Sequence, residues 1–154
     1  MVYQWKQNRF PVEAQKAGEE LERIKTQYGG IVPKAVVDVS RPEDAVLHNC
    51  FDWNDETAAE AYREVQAREI IRNVIVVKTT NDDESKSITV RAFVPVLEDK
   101  KPKKYITIDE AMVDDEFRQQ IIQQALKELI SFKTKYGHLK ELSEVFEAIG
   151  KLSA

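Results

Sequence analysis

The clearest alternation of apolar and polar positions places Ala14, Ala17, Leu21, Ile24 and Tyr28 three and four residues apart. That spacing puts them on one face of an amphipathic helix, and Gly29-Gly30 supplies its stop. Gly18, beside the stripe, predicts the close approach of another helix. Pro33 suits a first helical position, so 33–41 reads as a short helix stopped at Arg41-Pro42, with Ala35, Val36 and Val39 free to pack. Residues 42–53 read as a turn of helix plus a loop, with Val46, Leu47, Phe51 and Trp53 inward.

The stretch 42–77 is the centre of the chain. Asn54 is a good N-cap, and Asp55 and Glu56 would meet the positive end of a helix running to Asn73. Ala58, Ala61, Tyr62 and Val65 form its apolar stripe, widened by Ala59 and Ile70. Further along, Tyr62, Gln66, Glu69 and Asn73 share one polar row, flanked by Arg68 and Arg72. A carboxylate on an inward face needs a partner, so Glu69 is expected to be at least half buried and paired with an arginine, Arg72 or one from another element such as Arg91. The same row could instead form a small polar pocket for a ligand.

Next, VIVVKTT is a continuous apolar run, the pattern of a strand covered on both faces. SITVRAFVPV alternates, with Ile88, Val90, Ala92, Val94 and Val96 on one face, and Pro95 places its end at an edge or bulge. YITI completes a predicted three-stranded antiparallel meander. DEAM reads as a single helical turn. Asp114 can cap a long helix over 115–136 whose stripe is Phe117, Ile121, Ala125, Leu129, Phe132 and Tyr136, broadened by Leu126 and Ile130. A last helix over 139–149 would bury Leu142, Val145, Phe146 and Ile149. The predicted class is α+β: an N-terminal arm over 1–11, then a single domain over 12–154 with N-terminal helices, the meander and two C-terminal helices.

Composition narrows the function classes. With 154 residues, 42% of them hydrophobic and 32% charged, the chain is ordinary for a globular protein. No apolar run approaches the roughly 20 residues that span a bilayer, and the first residues lack a signal-peptide core, so a cytoplasmic protein with no membrane partner is expected. The single cysteine, Cys50, excludes an intramolecular disulfide. His48, Cys50 and Asp52 are too tightly spaced for a chelating turn, and no phosphate-loop or dinucleotide fingerprint is present. No metal, no cofactor and no enzymatic activity are expected.

A net charge of −4 argues against a nucleic-acid coat but not against a local basic patch. The candidate patch is the loop of Lys100, Lys101, Lys103 and Lys104 around Pro102, with Lys34 and Arg41 as further phosphate contacts. The helix–Gly-Gly–helix segment fits a helix-turn-helix loosely. Asp38 falls where that motif wants an apolar residue, and the acidic N-D-E-T opening of the third helix would meet phosphate with the wrong sign. The arrangement AxxAGEELERI, PKAVVD, RPEDAxLH, FDWND, AAExYRxxQARxIIR and RAFV resembles small proteins encoded by temperate bacteriophages and prophages. The resemblance implies a phage or prophage origin and a host-cytoplasm setting, and supplies no catalytic residue. Two functions are therefore expected in order: a non-enzymatic accessory protein that binds nucleic acid, or a module that engages a host or phage protein or a second copy of itself.

Overall fold

Helix α1 (Ala14–Tyr28) follows the periodicity that defines it: Ala17, Leu21 and Ile24 are fully buried. Each large aliphatic side chain so buried contributes about 1.5–3 kcal/mol. Gly29 ends the helix at φ 70°, a left-handed conformation that glycine adopts without Cβ strain, and Gly30 N–H donates to Lys25 O at 3.0 Å. The computed structural model describes residues 1–55, 59–80, 83–99 and 103–153, with backbone alone at 80 and 83–85. Contacts gather into two compact units, Met1–Ala111 and Met112–Ala154.

In the first unit, α2 (Pro33–Ser40) buries Val36 and Val37. The loop after it passes through a 3-10 turn at His48–Cys50 and buries Leu47 and Phe51; Trp53 is half-buried, while Val46, expected inward, is exposed. Strands β1 (Tyr3–Trp5), β2 (Val74–Thr80) and β3 (Asp83–Arg91) form a three-stranded antiparallel sheet in the order β1-β2-β3. Tyr3 stands opposite Val76 and Trp5 opposite Val74. The α+β class and the three-stranded antiparallel sheet are as predicted, but the third strand comes from the N-terminal arm, not from YITI. The chain leaves this sheet at Ala92, whose N–H donates to Val74 O at 3.1 Å while its carbonyl accepts from Ile108 N–H at 2.9 Å. What reads as one alternating strand is thus β3 and then β4 (Phe93–Val96), which pairs with β5 (Lys104–Thr107) in a separate two-stranded sheet. Pro95 therefore sits in an edge strand, as its missing donor requires. Strand β2 is also less enclosed than its apolar run suggests: Val74 and Val76 are fully buried, whereas Val77 is exposed.

Two expectations about the central helix need correction. First, α3 spans Glu60–Asn73, with Ala59 before its first turn. Asn54 does not cap it: Asn54 N–H donates to Asp52 Oδ1 at 3.0 Å, a local turn. Asp55 pairs with Arg63, and Glu56 and Ala58 lie outside the described residues. Second, the buried face carries Arg63, Ala67, Ile70, Ile71 and Asn73, while Ala61, Tyr62 and Val65 face solvent. An arginine on the core side hides this face from a hydrophobicity count. Arg63 is tolerated there because Asp52 O, Asp55 and Glu60 accept from its guanidinium, which also lies over the Trp53 ring. Gly18 likewise meets a ring, not a helix. A Cβ there would overlap the ring of Tyr3 of β1, so the missing side chain is what seats the arm.

Helix α4 (Ile108–Val113) follows β5. In the second unit, α5 (Asp115–Tyr136) begins where predicted, with Asp114 Oδ1 accepting from Phe117 N–H at 3.0 Å. After a 3-10 turn at Lys140–Leu142, α6 (Ser143–Leu152) buries Phe146 and Ile149; Val145, expected inward, is exposed. Phe146 meets Phe132 of α5 with ring centroids 6.1 Å apart.

Candidate functional site

The arm does more than complete the sheet. Past β1, Lys6 N–H donates to Asn73 O at 2.7 Å and Gln7 N–H donates to Asn73 Oδ1 at 2.8 Å. Asn73 Nδ2 returns a bond to Gln7 O at 2.9 Å. Asn73, buried at the end of α3, thus holds two residues of the arm with three hydrogen bonds. Trp5 closes the loop from the other side, donating to Val12 O at 2.7 Å and packing on Phe10 at 4.7 Å. Between these anchors, Lys6 and Arg9 are presented beside Arg72 of α3 and Arg91, the last residue of β3.

These side chains line an open cleft of about 190 Å³, together with Gln7, Asn73 and Glu69. Arg9 Nη2 reaches Glu69 Oε2 at 3.2 Å across it. The cleft therefore carries four cations against one carboxylate, a local excess of three positive charges in a chain of net charge −4. The carbonyl end of α3 attracts cations, but it is equivalent to only about half an elementary charge. It cannot neutralise the group. In this unit, among the described residues, the cations without an ion pair are Lys6, Arg72, Arg91 and Lys103, and the first three meet in this cleft.

The predicted phosphate contacts are placed differently. Lys34 Nζ lies 2.6 Å from Asp38, and Arg41 bridges Asp38 and Glu60 at 3.3 and 2.6 Å. The hydrogen bond from Lys34, aided by Arg41, holds the Asp38 carboxyl below its ordinary range, so these charges are already matched. Lys104 is half-buried and donates to Gly29 O at 3.0 Å, with Glu98 at the same distance. Lys103 is exposed, and Lys100 and Lys101 lie outside the described residues.

The polar row on α3 is divided between two neighbours. Tyr62 is exposed, and Gln66 Oε1 accepts from Asp52 N–H at 3.5 Å in the preceding loop. Glu69 and Asn73 face the cleft. Glu69 is paired with an arginine from another element, as predicted; that arginine is Arg9 of the arm, where Arg91 was the example, and the Glu69 side chain is 48% exposed. The outward turn of Tyr62 and Glu69 follows from the rotated core face of α3, which keeps Asn73 buried.

The sequence reading missed Lys6, Arg9 and Arg91 as a group. Its one local signal is the K-Q-N-R run in the arm, which carries two cations within four residues. Elsewhere, His48 stacks on Trp53 at 5.1 Å, with Nδ1 3.0 Å from Ser40 O. Burial pushes the Cys50 thiol up to about 11, so it stays protonated at neutral pH. Among the described residues, no group of three His, Cys, Asp or Glu side chains is placed to hold a metal ion, and no helix is long and apolar enough to cross a membrane. Comparison with known protein families, curated proteins and solved structures finds no match for this chain.

Proposed function

We propose that this protein is a non-enzymatic accessory protein of a phage or prophage that binds nucleic acid through phosphate groups at the Lys6–Arg9–Arg72–Arg91 cleft. The phage setting rests on the sequence resemblance described above. The observation that carries the binding proposal is the meeting of three unpaired cations in one cleft. Collecting like charges without counter-ions costs stability unless an anion is their partner, and guanidinium forks suit phosphate oxygens in particular. A gel-shift salt series with single- and double-stranded DNA and RNA tests the proposal. Binding at low salt is expected to weaken as salt rises, and the double charge reversal Arg72→Glu/Arg91→Glu should abolish it. Absence of binding to every nucleic acid at low salt, or unchanged binding by the double variant, would overturn the proposal.

A second reading is a protein–protein module, a second copy included. It is favoured by α5, which buries no residue over its 22 positions and leaves Ile122, Ile130 and Phe132 exposed. Sedimentation velocity across a concentration series addresses self-association. A monomer at all concentrations would remove the homodimer.

A further inference from the structure

We infer that the cleft receives the phosphorylated end of a nucleic-acid strand, a terminal phosphomonoester, and not a running length of backbone. The inference rests on the nucleic-acid reading above and sharpens it.

The first argument is the distribution of unpaired charge. A protein that tracks a backbone contacts about 6–10 phosphates, which requires a stripe of available cations. Here, among the described residues of the first unit, the cations outside the cleft are matched, Lys103 excepted: Arg23 with Glu20, Lys25 with Glu110, Lys34 with Asp38 and Lys78 with Asp109 are examples. Among the described residues of this unit, the available cations other than Lys103 gather at one point. At about 190 Å³ the cleft is also smaller than the roughly 300–1,000 Å³ that engulf a drug-sized ligand. It suits one phosphate group and its immediate attachment.

The second argument is competition with Glu69. Arg9 is engaged by a carboxylate of charge −1 at 3.2 Å. An internal phosphodiester also carries −1, so it gains no charge advantage when it competes for Arg9. A terminal phosphomonoester carries about −1.5 to −2 at pH 7 and has three free oxygens. It can displace Glu69 from Arg9 while keeping oxygens for Arg72, Arg91 and Lys6. Glu69 thus acts as a threshold that favours the doubly charged end.

The test measures binding of one single-stranded oligonucleotide in three forms: 5′-phosphorylated, 3′-phosphorylated and hydroxyl at both ends. Inorganic phosphate and a 5′-mononucleotide serve as competitors. At least one phosphorylated form should bind on the order of tenfold more tightly than the hydroxyl form, equivalent to one further charge-assisted contact. Arg72→Gln and Arg91→Gln should erase that preference, and Lys103→Gln, outside the cleft, should not. Glu69→Gln should tighten binding of all three forms and narrow the ratio. Both glutamine variants of arginine lie on exposed positions, and far-UV circular dichroism checks that they fold. Equal binding of all three forms would overturn the inference and leave the nucleic-acid reading standing. Competition by inorganic phosphate or the mononucleotide as strong as by the phosphorylated strand would overturn it in favour of a free-phosphate site. Absence of binding by every oligonucleotide at low salt would overturn both.

Discussion

Asn73 and Glu69 sit one turn apart on α3 and both meet the arm, yet they should respond differently to truncation. Glu69 and Arg9 are each about half exposed, so solvent screens the pair and Glu69→Ala should cost no more than about 1 kcal/mol. The larger loss that a buried pair would bring does not apply here. Asn73 is 6% exposed and makes both side-chain bonds to Gln7. Its replacement by alanine should cost about 1–3 kcal/mol and speed amide exchange at Tyr3–Trp5; urea denaturation and hydrogen exchange read the two effects. Tyr3 gives a pH dependence. Burial, and then the hydrogen bond its hydroxyl donates to Glu22, raise its ionisation well above the ordinary tyrosine range. The folded state holds this proton more tightly than the unfolded chain. The resulting stability is fully present below about pH 10, the unfolded value, and is lost as pH rises above it. Wild-type protein should therefore lose more stability between pH 9 and pH 11, values chosen roughly to bracket that pKa, than Tyr3→Phe does. Parallel urea curves for the two proteins would contradict this.

At the scale of elements, the decisive contact is β1 on α1. Gly18 leaves the space that the Tyr3 ring fills, and Tyr3 also stacks on Phe93 at 5.9 Å. Gly18→Ala would put a methyl group into that ring. Although alanine favours a helix, the overpacking should dominate, costing about 1–3 kcal/mol against a propensity gain of about 1 kcal/mol. Thermal denaturation should show a lower midpoint; an unchanged or raised midpoint would mean that Tyr3 is not held against α1. Helices α1 and α5 were legible because each keeps a long 3.6-residue pattern and a recognisable end, Gly29 for one and Asp114 for the other. Helix α3 was not, because its core face includes Arg63, and its exposed face carries Tyr62 and Val65.

For the whole molecule, residues 1–11 are part of the fold. They supply the strand beside β2, the ring against Gly18, and two of the four cations of the cleft. Removing them leaves the β2 edge unpaired and strips Asn73 of its partners. The shortened protein should unfold at lower urea and bind nucleic acid at least as weakly as Arg72→Glu/Arg91→Glu. A shortened protein of wild-type stability would show that the arm is dispensable. The net charge of −4 and the cleft's positive excess are compatible because the acidic excess lies elsewhere in the chain and salt screens it over about 10 Å; the field that an approaching anion feels is set locally.

The sequence by itself determined the α+β class, the limits of α1 and α5, the glycine stop and the two C-terminal helices. These depend on neighbours three or four residues apart, and such interactions are written in local spacing. It also indicated that Glu69 would hold an arginine, since a carboxylate in that row needs a counter-charge. The choice of Arg9 was made by tertiary structure, as were the strand beside β2, the break at Ala92 and the collection of Lys6, Arg72 and Arg91. A three-residue strand is too short to show a period, and strand pairing carries no trace of which distant segment will satisfy its backbone groups. The cleft joins residues from opposite sides of that pairing. Its charge becomes visible when Asn73 has fastened the arm to the end of α3.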